Sequence, residues 1–125
     1  MTNAAKTIRL TNLFLLTIAM CLISMPNLAR AEGWTVLDGQ GIDLALAGRK
    51  LQYETSTQDF RASGKTLYVT NRDSWGNWSI RGDQYCSQWP PSSGWNCYNV
   101  YLNDDGGTVR FVGEPADVTV RRYID

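Results

Sequence analysis

The chain has 125 residues, with twelve Lys and Arg against twelve Asp and Glu, a formal net charge of zero and no histidine. The missing histidine excludes Ser-His-Asp and Cys-His catalysis, because such sites need a base that titrates near neutral pH. It also argues against a metal site. The longest basic run is Arg121-Arg122, so no clustered charge is available to bind nucleic acid.

The N-terminal segment has the three parts of an export signal. Lys6 and Arg9 supply positive charge, residues 13–25 form an uncharged apolar run, and Ala29-Arg30-Ala31 places small side chains at the two positions that a signal peptidase recognises. We therefore expect residues 1–31 to be cleaved as a signal peptide. The working domain, residues 32–125, is expected to be periplasmic or secreted, where thiols can pair.

Two alternatives would keep this segment attached. A membrane anchor needs roughly 20 apolar residues to span a bilayer, which is longer than the run found here, so we expect no stable membrane span after processing. A lipid anchor on Cys21 needs a small residue before it, and that position holds Met20.

Residues 32–125 are predicted to form a single domain. They number 94 and hold nine basic and twelve acidic residues, which gives a net charge of −3. All five tryptophans and all six tyrosines fall in this part of the chain. Because such rings bury a large area and favour pleated sheets, we expect them to build the core of a small β domain.

The first predicted element of the domain is a short helix, and strands follow it. Residues 42–47 can form one or two helical turns, which Gly48 would end. From Arg49 onward apolar residues alternate with polar ones, first at Leu51 and Tyr53 and again in residues 67–69. The sequence therefore predicts a change from helix to strand at Gly48.

The centre of the chain predicts three paired strands with a defined register. Gly82-Asp83 fits a two-residue hairpin turn, which places Ile80 opposite Tyr85. Cys86 and Cys97 are the only cysteines of the domain, so an exported chain would join them in a disulfide. This register puts six side chains on the core-facing side and the disulfide on the other side. The six are Trp78, Ile80, Tyr85, Tyr98, Val100 and Leu102.

Two further strands complete the predicted fold. A turn at residues 103–107 leads to a strand around Val109 and Phe111, and residues 113–115 separate it from a last strand around Val118 and Val120. Seven or eight short strands in sequence order predict an all-β antiparallel meander that closes into a barrel or forms a curled sheet. Closure would remove exposed sheet edges.

Few residues of the domain could carry catalysis or hold a metal. Paired carboxylates are conceivable, but three of the five candidates lie in turns, where aspartate bonds its own backbone. Residues 103–107 carry oxygen ligands without the spacing of a dedicated calcium loop. We therefore expect no enzyme, no metal site and no cofactor. The five carboxylates are Asp59, Asp73, Asp83, Asp104 and Asp105.

The segment from Trp89 to Trp95 is the strongest candidate for binding. The two tryptophans flank residues 90–94, a proline-rich tip that the disulfide would hold in place, and a rigid aromatic tip suits recognition. With Trp75 and Tyr101 expected nearby, these four aromatic residues form the predicted binding set. The alternative is that Trp89 and Trp95 both fold back over the barrel mouth and close the core.

Residues 76–86 read Gly-Asn-Trp-Ser-Ile-Arg-Gly-Asp-Gln-Tyr-Cys, Cys97-Tyr98 follows, and Leu46-Ala47-Gly48 precedes them. This pattern resembles a family of small secreted bacterial proteins with no agreed activity, whose motif is Gly-x-Trp-x-Ile/Val-x-Gly-Asp-x-x-Cys with a second cysteine. The resemblance covers residues 46–112, and it implies an envelope location and a lipocalin-like small barrel. The Trp-Pro-Pro insert between the cysteines departs from the family pattern.

Two functions remain open at this point. The first is a non-enzymatic periplasmic binding module that holds a small amphipathic ligand or an envelope component, in the barrel mouth or at the Trp89–Trp95 tip. The second is a protein–protein regulator, such as an inhibitor of an envelope enzyme or the exported domain of a sensor. The tip would then anchor the complex, because tryptophan dominates interface hot spots.

Overall fold

The computed structural model describes residues 33–125, which fold into one helix and nine strands. The predicted signal peptide, residues 1–31, lies outside the described residues. Within the described part, no helix has both the length and the apolar character needed to cross a membrane. The elements are β1 (Trp34–Val36), α1 (Gly39–Leu46), β2 (Lys50–Gln52), β3 (Thr57–Phe60), β4 (Lys65–Val69), β5 (Asp73–Arg81), β6 (Gln84–Gln88), β7 (Trp95–Asn103), β8 (Thr108–Val112) and β9 (Val118–Tyr123).

Strands β2 to β9 form an antiparallel barrel of eight strands. Each strand pairs with the next along the chain, and β9 pairs back with β2 to close the ring. The predicted all-β meander that closes into a lipocalin-like barrel is therefore confirmed. The short β1 pairs with β7 at Val36 and Tyr101, beyond the stretch of β7 that β6 occupies.

The helix α1 closes one end of the barrel. Asp38 caps it, because its Oδ1 accepts a hydrogen bond from the Gly41 amide at 2.8 Å. Ile42, Ala45 and Leu46 are buried against the barrel interior. The helix begins at Gly39, three residues before the predicted start, and the chain leaves it through a glycine with φ of 74° at position 48.

The predicted register of the central strands is confirmed residue by residue. Ile80 pairs with Tyr85, and Cys86 pairs with Cys97. The two cysteine sulfurs lie 2.07 Å apart in a disulfide. Because side chains alternate across a strand, Tyr85 points into the barrel and Cys86 points to the outer side.

The core is aromatic at its centre. Phe60 is fully buried and meets Trp78 and Tyr85 edge to face, with ring centroids 5.8 and 5.7 Å apart. The indole Nε1 of Trp78 donates a hydrogen bond to the Arg61 carbonyl at 2.8 Å, so burying this ring leaves no donor unpaired. This layer separates the helix end of the barrel from the opposite end.

Candidate functional site

The end of the barrel opposite α1 opens into a cavity of about 430 Å³. This volume lies within the range of small-molecule sites, roughly 300–1,000 Å³. Four connections surround the opening: residues 53–56, 70–72, 89–94 and 113–117. We call the space the mouth cavity. Six aromatic and five polar or charged residues line it: Tyr53, Tyr68, Tyr85, Trp89, Tyr98 and Phe111, with Gln58, Ser87, Asp117, Thr119 and Arg121.

A row of rings forms one side of the mouth cavity. Trp89 meets Tyr68 edge to face with ring centroids 6.0 Å apart, and Tyr68 meets Tyr53 in the same way at 5.4 Å. The row ends at Arg121, whose guanidinium carbon lies 4.3 Å from the centroid of the Tyr53 ring. The row offers a ligand apolar ring surface along most of its length and a positive charge at one end.

The position of Trp89 depends on a glycine in the neighbouring strand. Gly76 faces the barrel interior on β5, and a Cβ at this position would lie 2.7 Å from Cε3 of Trp89. The missing side chain therefore leaves room for the indole ring. Glycine in a strand often marks such a close approach.

Buried polar side chains form the floor of the mouth cavity. Gln58 is only 4% exposed, and its Nε2 donates to the Thr66 hydroxyl at 3.0 Å and to the Tyr85 hydroxyl at 3.3 Å. Its Oε1 accepts a short hydrogen bond from the Tyr53 hydroxyl. One glutamine thus fixes two of the tyrosines that line the site, and it fills most of its own hydrogen-bonding capacity in doing so.

Tyr53 and Tyr85 serve the site as hydrogen-bonding groups that keep their protons at neutral pH. Burial raises the pKa of Tyr53 far above its usual range. Burial also raises the pKa of Tyr85, against the opposing effect of hydrogen bonds from Ser87 and Gln58. Each hydroxyl therefore keeps its proton and can donate or accept a hydrogen bond.

Two charges of opposite sign face the mouth cavity from the same side of the barrel. Asp117 precedes β9, and Arg121 lies four positions further along. At about 3.3 Å per residue their backbones are roughly 13 Å apart, and the ion pairs among the described residues do not include this pair. Asp117 lies nearer Tyr98, since it adds to the effect of burial in raising the pKa of that hydroxyl. The cavity therefore has a negative side at its rim and a positive side at Arg121.

The structure separates the four aromatic residues of the predicted binding set. Trp89 turns into the mouth cavity, whereas Trp95 points to the outer surface, where the guanidinium carbon of Arg81 lies 4.3 Å from its ring centroid. The two rings that flank the tip therefore take opposite sides of the barrel wall. This arrangement matches neither of the two alternatives from the sequence. The tip does not present both tryptophans as anchors, and the two rings do not both fold over the mouth of the barrel.

The other two predicted residues lie on the outer surface. Trp75 is 50% exposed and pairs across the sheet with Leu67. Tyr101 lies six residues along β7 from Trp95, beside Arg110 of β8. This is a distance of roughly 20 Å along a strand. Tyr101 is therefore not near the tip, and only Trp89 of the four lines the cavity.

Several residues of the mouth cavity were not among the predicted binding residues. Tyr53 is predicted only as a strand residue, although the face that it shares with the buried Leu51 was a usable signal. Arg121 is predicted only as part of a short basic run after the last strand, and Gln58 has no predicted binding role. Arg121 had no such signal, because its role depends on β9 pairing back with β2 across some seventy residues of sequence.

Comparison of the chain with protein-family models, with curated proteins and with solved structures finds no match. The resemblance in residues 46–112 therefore stays a prediction. Among residues 33–125, no three Cys, Asp or Glu side chains come together as a metal site would require. The arrangement that remains is a cavity with aromatic walls, a hydrogen-bonded floor and one cation, and such a cavity can hold a small molecule by burial and orientation.

Proposed function

We propose that this protein is a non-enzymatic binding module that holds a small amphipathic ligand in the mouth cavity. The observation that carries the proposal is the cavity of about 430 Å³, which combines aromatic walls with a buried polar floor. Such pockets bury most of a small ligand against apolar surface and orient it with a few polar groups.

The hydrogen-bonded floor supports recognition rather than catalysis. Gln58 holds the hydroxyls of Tyr53 and Tyr85 in fixed positions, so they are ordered before any ligand arrives. Pre-ordered groups lower the entropic cost of binding. The raised pKa of Tyr53 also keeps its hydroxyl protonated at neutral pH. A general base must be deprotonated to accept a proton, so this hydroxyl cannot act as one.

The direct test blocks the mouth cavity with a large side chain on one of the strands that line it. Thr119→Trp places a bulky ring on an inward position of β9, and the matched control Val118→Trp places the same ring on the adjacent, outward position, which is 57% exposed. The probe is N-phenylnaphthylamine, an uncharged aromatic amphiphile whose emission rises in apolar surroundings. We expect saturable binding to the wild type and to Val118→Trp, and its loss in Thr119→Trp. Equal binding by both variants would reject the mouth cavity as the site.

A second measurement does not depend on the cavity-filling variant. In the wild type, bound probe should quench the emission of Trp89, the one tryptophan that lines the mouth cavity. Trp89→Phe should therefore remove most of the probe-dependent change in tryptophan emission. Trp75→Phe removes an indole from the outer surface, and in this variant the probe-dependent change in tryptophan emission should remain.

The alternative function, a regulator that docks its tip on an envelope protein, has less support. It depends on Trp89 and Trp95 as paired anchors, and Trp89 is occupied inside the mouth cavity. It predicts that Trp95→Ala abolishes capture of a larger envelope protein. The binding module predicts no such loss.

We also propose that the domain works outside the cytoplasm, after cleavage following Ala31. The proposal is supported by the signal-like residues 1–31 and by the Cys86–Cys97 disulfide, since such bonds persist in oxidising compartments. Mass spectrometry of native material, alkylated without reduction, should give a chain that begins at Glu32 and carries no alkyl group on either cysteine. A full-length chain with two alkylated thiols in the domain would contradict it.

A further inference from the structure

Arg121 is the cation of the mouth cavity, and its guanidinium is held in place. Its carbon lies 4.3 Å from the centroid of the Tyr53 ring, and its Nη1 donates to the neighbouring Val120 carbonyl at 2.6 Å. Its Nε is buried and has no hydrogen-bond partner among the described residues. A buried donor without a partner costs free energy until something accepts from it.

No carboxylate pairs with Arg121 within the part of the chain that the structure describes. The ion pairs found there join Arg49 to Asp125 and Arg61 to Asp59. Asp117 lines the same cavity, but it lies four residues before Arg121 in the sequence, roughly 13 Å away along the backbone. Arg121 therefore keeps its charge available to a molecule that enters the cavity.

Arg110 shows that an unpaired Nε does not by itself make a site. Its Nε is also buried without a partner, and its guanidinium carbon lies 4.6 Å from each of the ring centroids of Trp34 and Tyr101. Arg110, however, lies on the outer side of β8 between those rings and lines neither cavity of the barrel. Arg121 differs because it faces the mouth cavity.

The barrel wall is incomplete beside Arg121. Strands β2 and β9 pair at only two positions, Leu51 with Tyr123 and Gln52 with Arg122. Beyond these pairs a shallow outer cleft meets the mouth cavity, and Tyr53 and Arg121 line both spaces. Glu54 also lines the cleft, and the ion pairs found among residues 33–125 do not join it to Arg121. A charged group bound at Arg121 can thus stay partly hydrated while an apolar body lies in the mouth cavity.

We propose that the ligand of the mouth cavity is an anionic amphiphile, whose carboxylate, sulfonate or phosphate pairs with Arg121 and whose apolar body lies along the rings of Tyr53, Tyr68 and Trp89. This inference rests on the proposed binding function and adds the ligand's charge and orientation. The planar guanidinium suits all three anions, because its parallel N–H groups can donate to two oxygens at once.

The test uses two probes that differ by one charge. Anilinonaphthalene sulfonate is an aromatic amphiphile with a sulfonate, and N-phenylnaphthylamine is the same ring system without it. Each is titrated into the wild type, Arg121→Gln and the control Arg110→Gln, which loses the same charge and a similar ring contact outside the cavity. Thermal unfolding of each variant verifies that it is folded.

In Arg121→Gln we expect the Kd of the sulfonate probe to rise on the order of tenfold or more, because a hydrogen bond to a charged group is lost. The Kd of the neutral probe should stay within about twofold, and Arg110→Gln should leave both within about twofold. An unchanged sulfonate Kd in Arg121→Gln would overturn the inference, as would an equal loss in Arg110→Gln. If one of these two results is found but the neutral probe still binds in the mouth cavity of the wild type, the proposed binding function stands and only the inference about the ligand's charge fails. If neither probe binds the wild type, both fail.

Discussion

The ring of Trp89 lies where the side chain of residue 76 would be. Gly76 has no Cβ, and an added one would sit 2.7 Å from Cε3 of the indole and 2.9 Å from the Gln88 carbonyl oxygen. The glycine therefore allows the chain to turn inward after β6 and to place an aromatic wall in the mouth cavity. The same ring reaches Tyr68, so Gly76 affects the row of rings without contacting a ligand.

Gly76→Ala should displace Trp89 from the mouth cavity. The backbone oxygen cannot move easily, so the indole must shift, and overpacking of this kind costs about 1–3 kcal/mol of unfolding free energy. Tryptophan emission should move to longer wavelength, and urea denaturation should show the loss of stability. In the control Gly94→Ala the new Cβ meets nothing closer than the Ser92 hydroxyl at 3.6 Å, and neither change is expected. A more stable Gly76→Ala with unchanged emission would contradict the packing argument.

Gln58→Leu should destabilise the domain by breaking the floor of the mouth cavity. The hydroxyl of Tyr53 loses its partner, whereas that of Tyr85 keeps its hydrogen bond with Ser87. A buried polar group left unpaired costs about 1–3 kcal/mol. Adding Tyr53→Phe to this variant should cost less than Tyr53→Phe costs in the wild type, because the hydroxyl it removes is already unpaired. Urea denaturation of the four proteins measures this coupling.

Gln84→Leu provides the control for the glutamine prediction. Gln84 lies on β6 with an exposed hydrogen bond to Asn99 at 3.3 Å. Its replacement should change stability by less than about 0.5 kcal/mol. Strictly additive effects of Gln58→Leu and Tyr53→Phe would show that the two side chains are not coupled.

The central strands were predictable because their signals are local. The turn at Gly82-Asp83 and the cysteine pair each fix one register, and both registers agree with the same inward face, which includes Tyr85. Alternation then assigns every neighbour to a side. For the same reason the strand order followed directly, since each strand pairs with the next in the chain.

The mouth cavity was less predictable because closure of the barrel creates it. Arg121 meets Tyr53 only when β9 returns to β2, and no local pattern marks that contact. The opposite directions of Trp89 and Trp95, by contrast, follow from the predicted register. Trp89 lies four residues after the inward Tyr85, and Trp95 lies two residues before the outward Cys97. The predicted binding set overlooked this signal.

Reduction of the Cys86–Cys97 disulfide should lower the stability of the domain. The bond closes a short loop between two adjacent strands, with a sequence separation of 11 residues. Losing the constraint on the unfolded chain should cost about 2.5–3 kcal/mol. Urea denaturation with and without a reducing agent measures the difference. A variant with both cysteines changed to alanine should show no response to the reducing agent, and a wild type with no response would indicate that the bond does not constrain the unfolded state.

Asp125→Asn should lower stability at neutral pH but not in acid. Asp125 accepts from Arg49 Nε at 2.7 Å and Nη2 at 3.1 Å, and these hydrogen bonds hold the pKa of its carboxyl below the ordinary value of 3.8. The folded state therefore binds the proton less readily than the unfolded chain does, so the pair stabilises the domain fully above about pH 4 and loses its effect as the pH falls through the lowered pKa. For a pair this exposed we expect a difference of about 0.5–1 kcal/mol at neutral pH. The control Asp73→Asn removes one carboxylate from an exposed position without an ion pair among residues 33–125, and at neutral pH its stability should stay within about 0.5 kcal/mol of wild type. A gap between Asp125→Asn and wild type that persists unchanged in acid would mean that the contact stabilises through packing rather than charge.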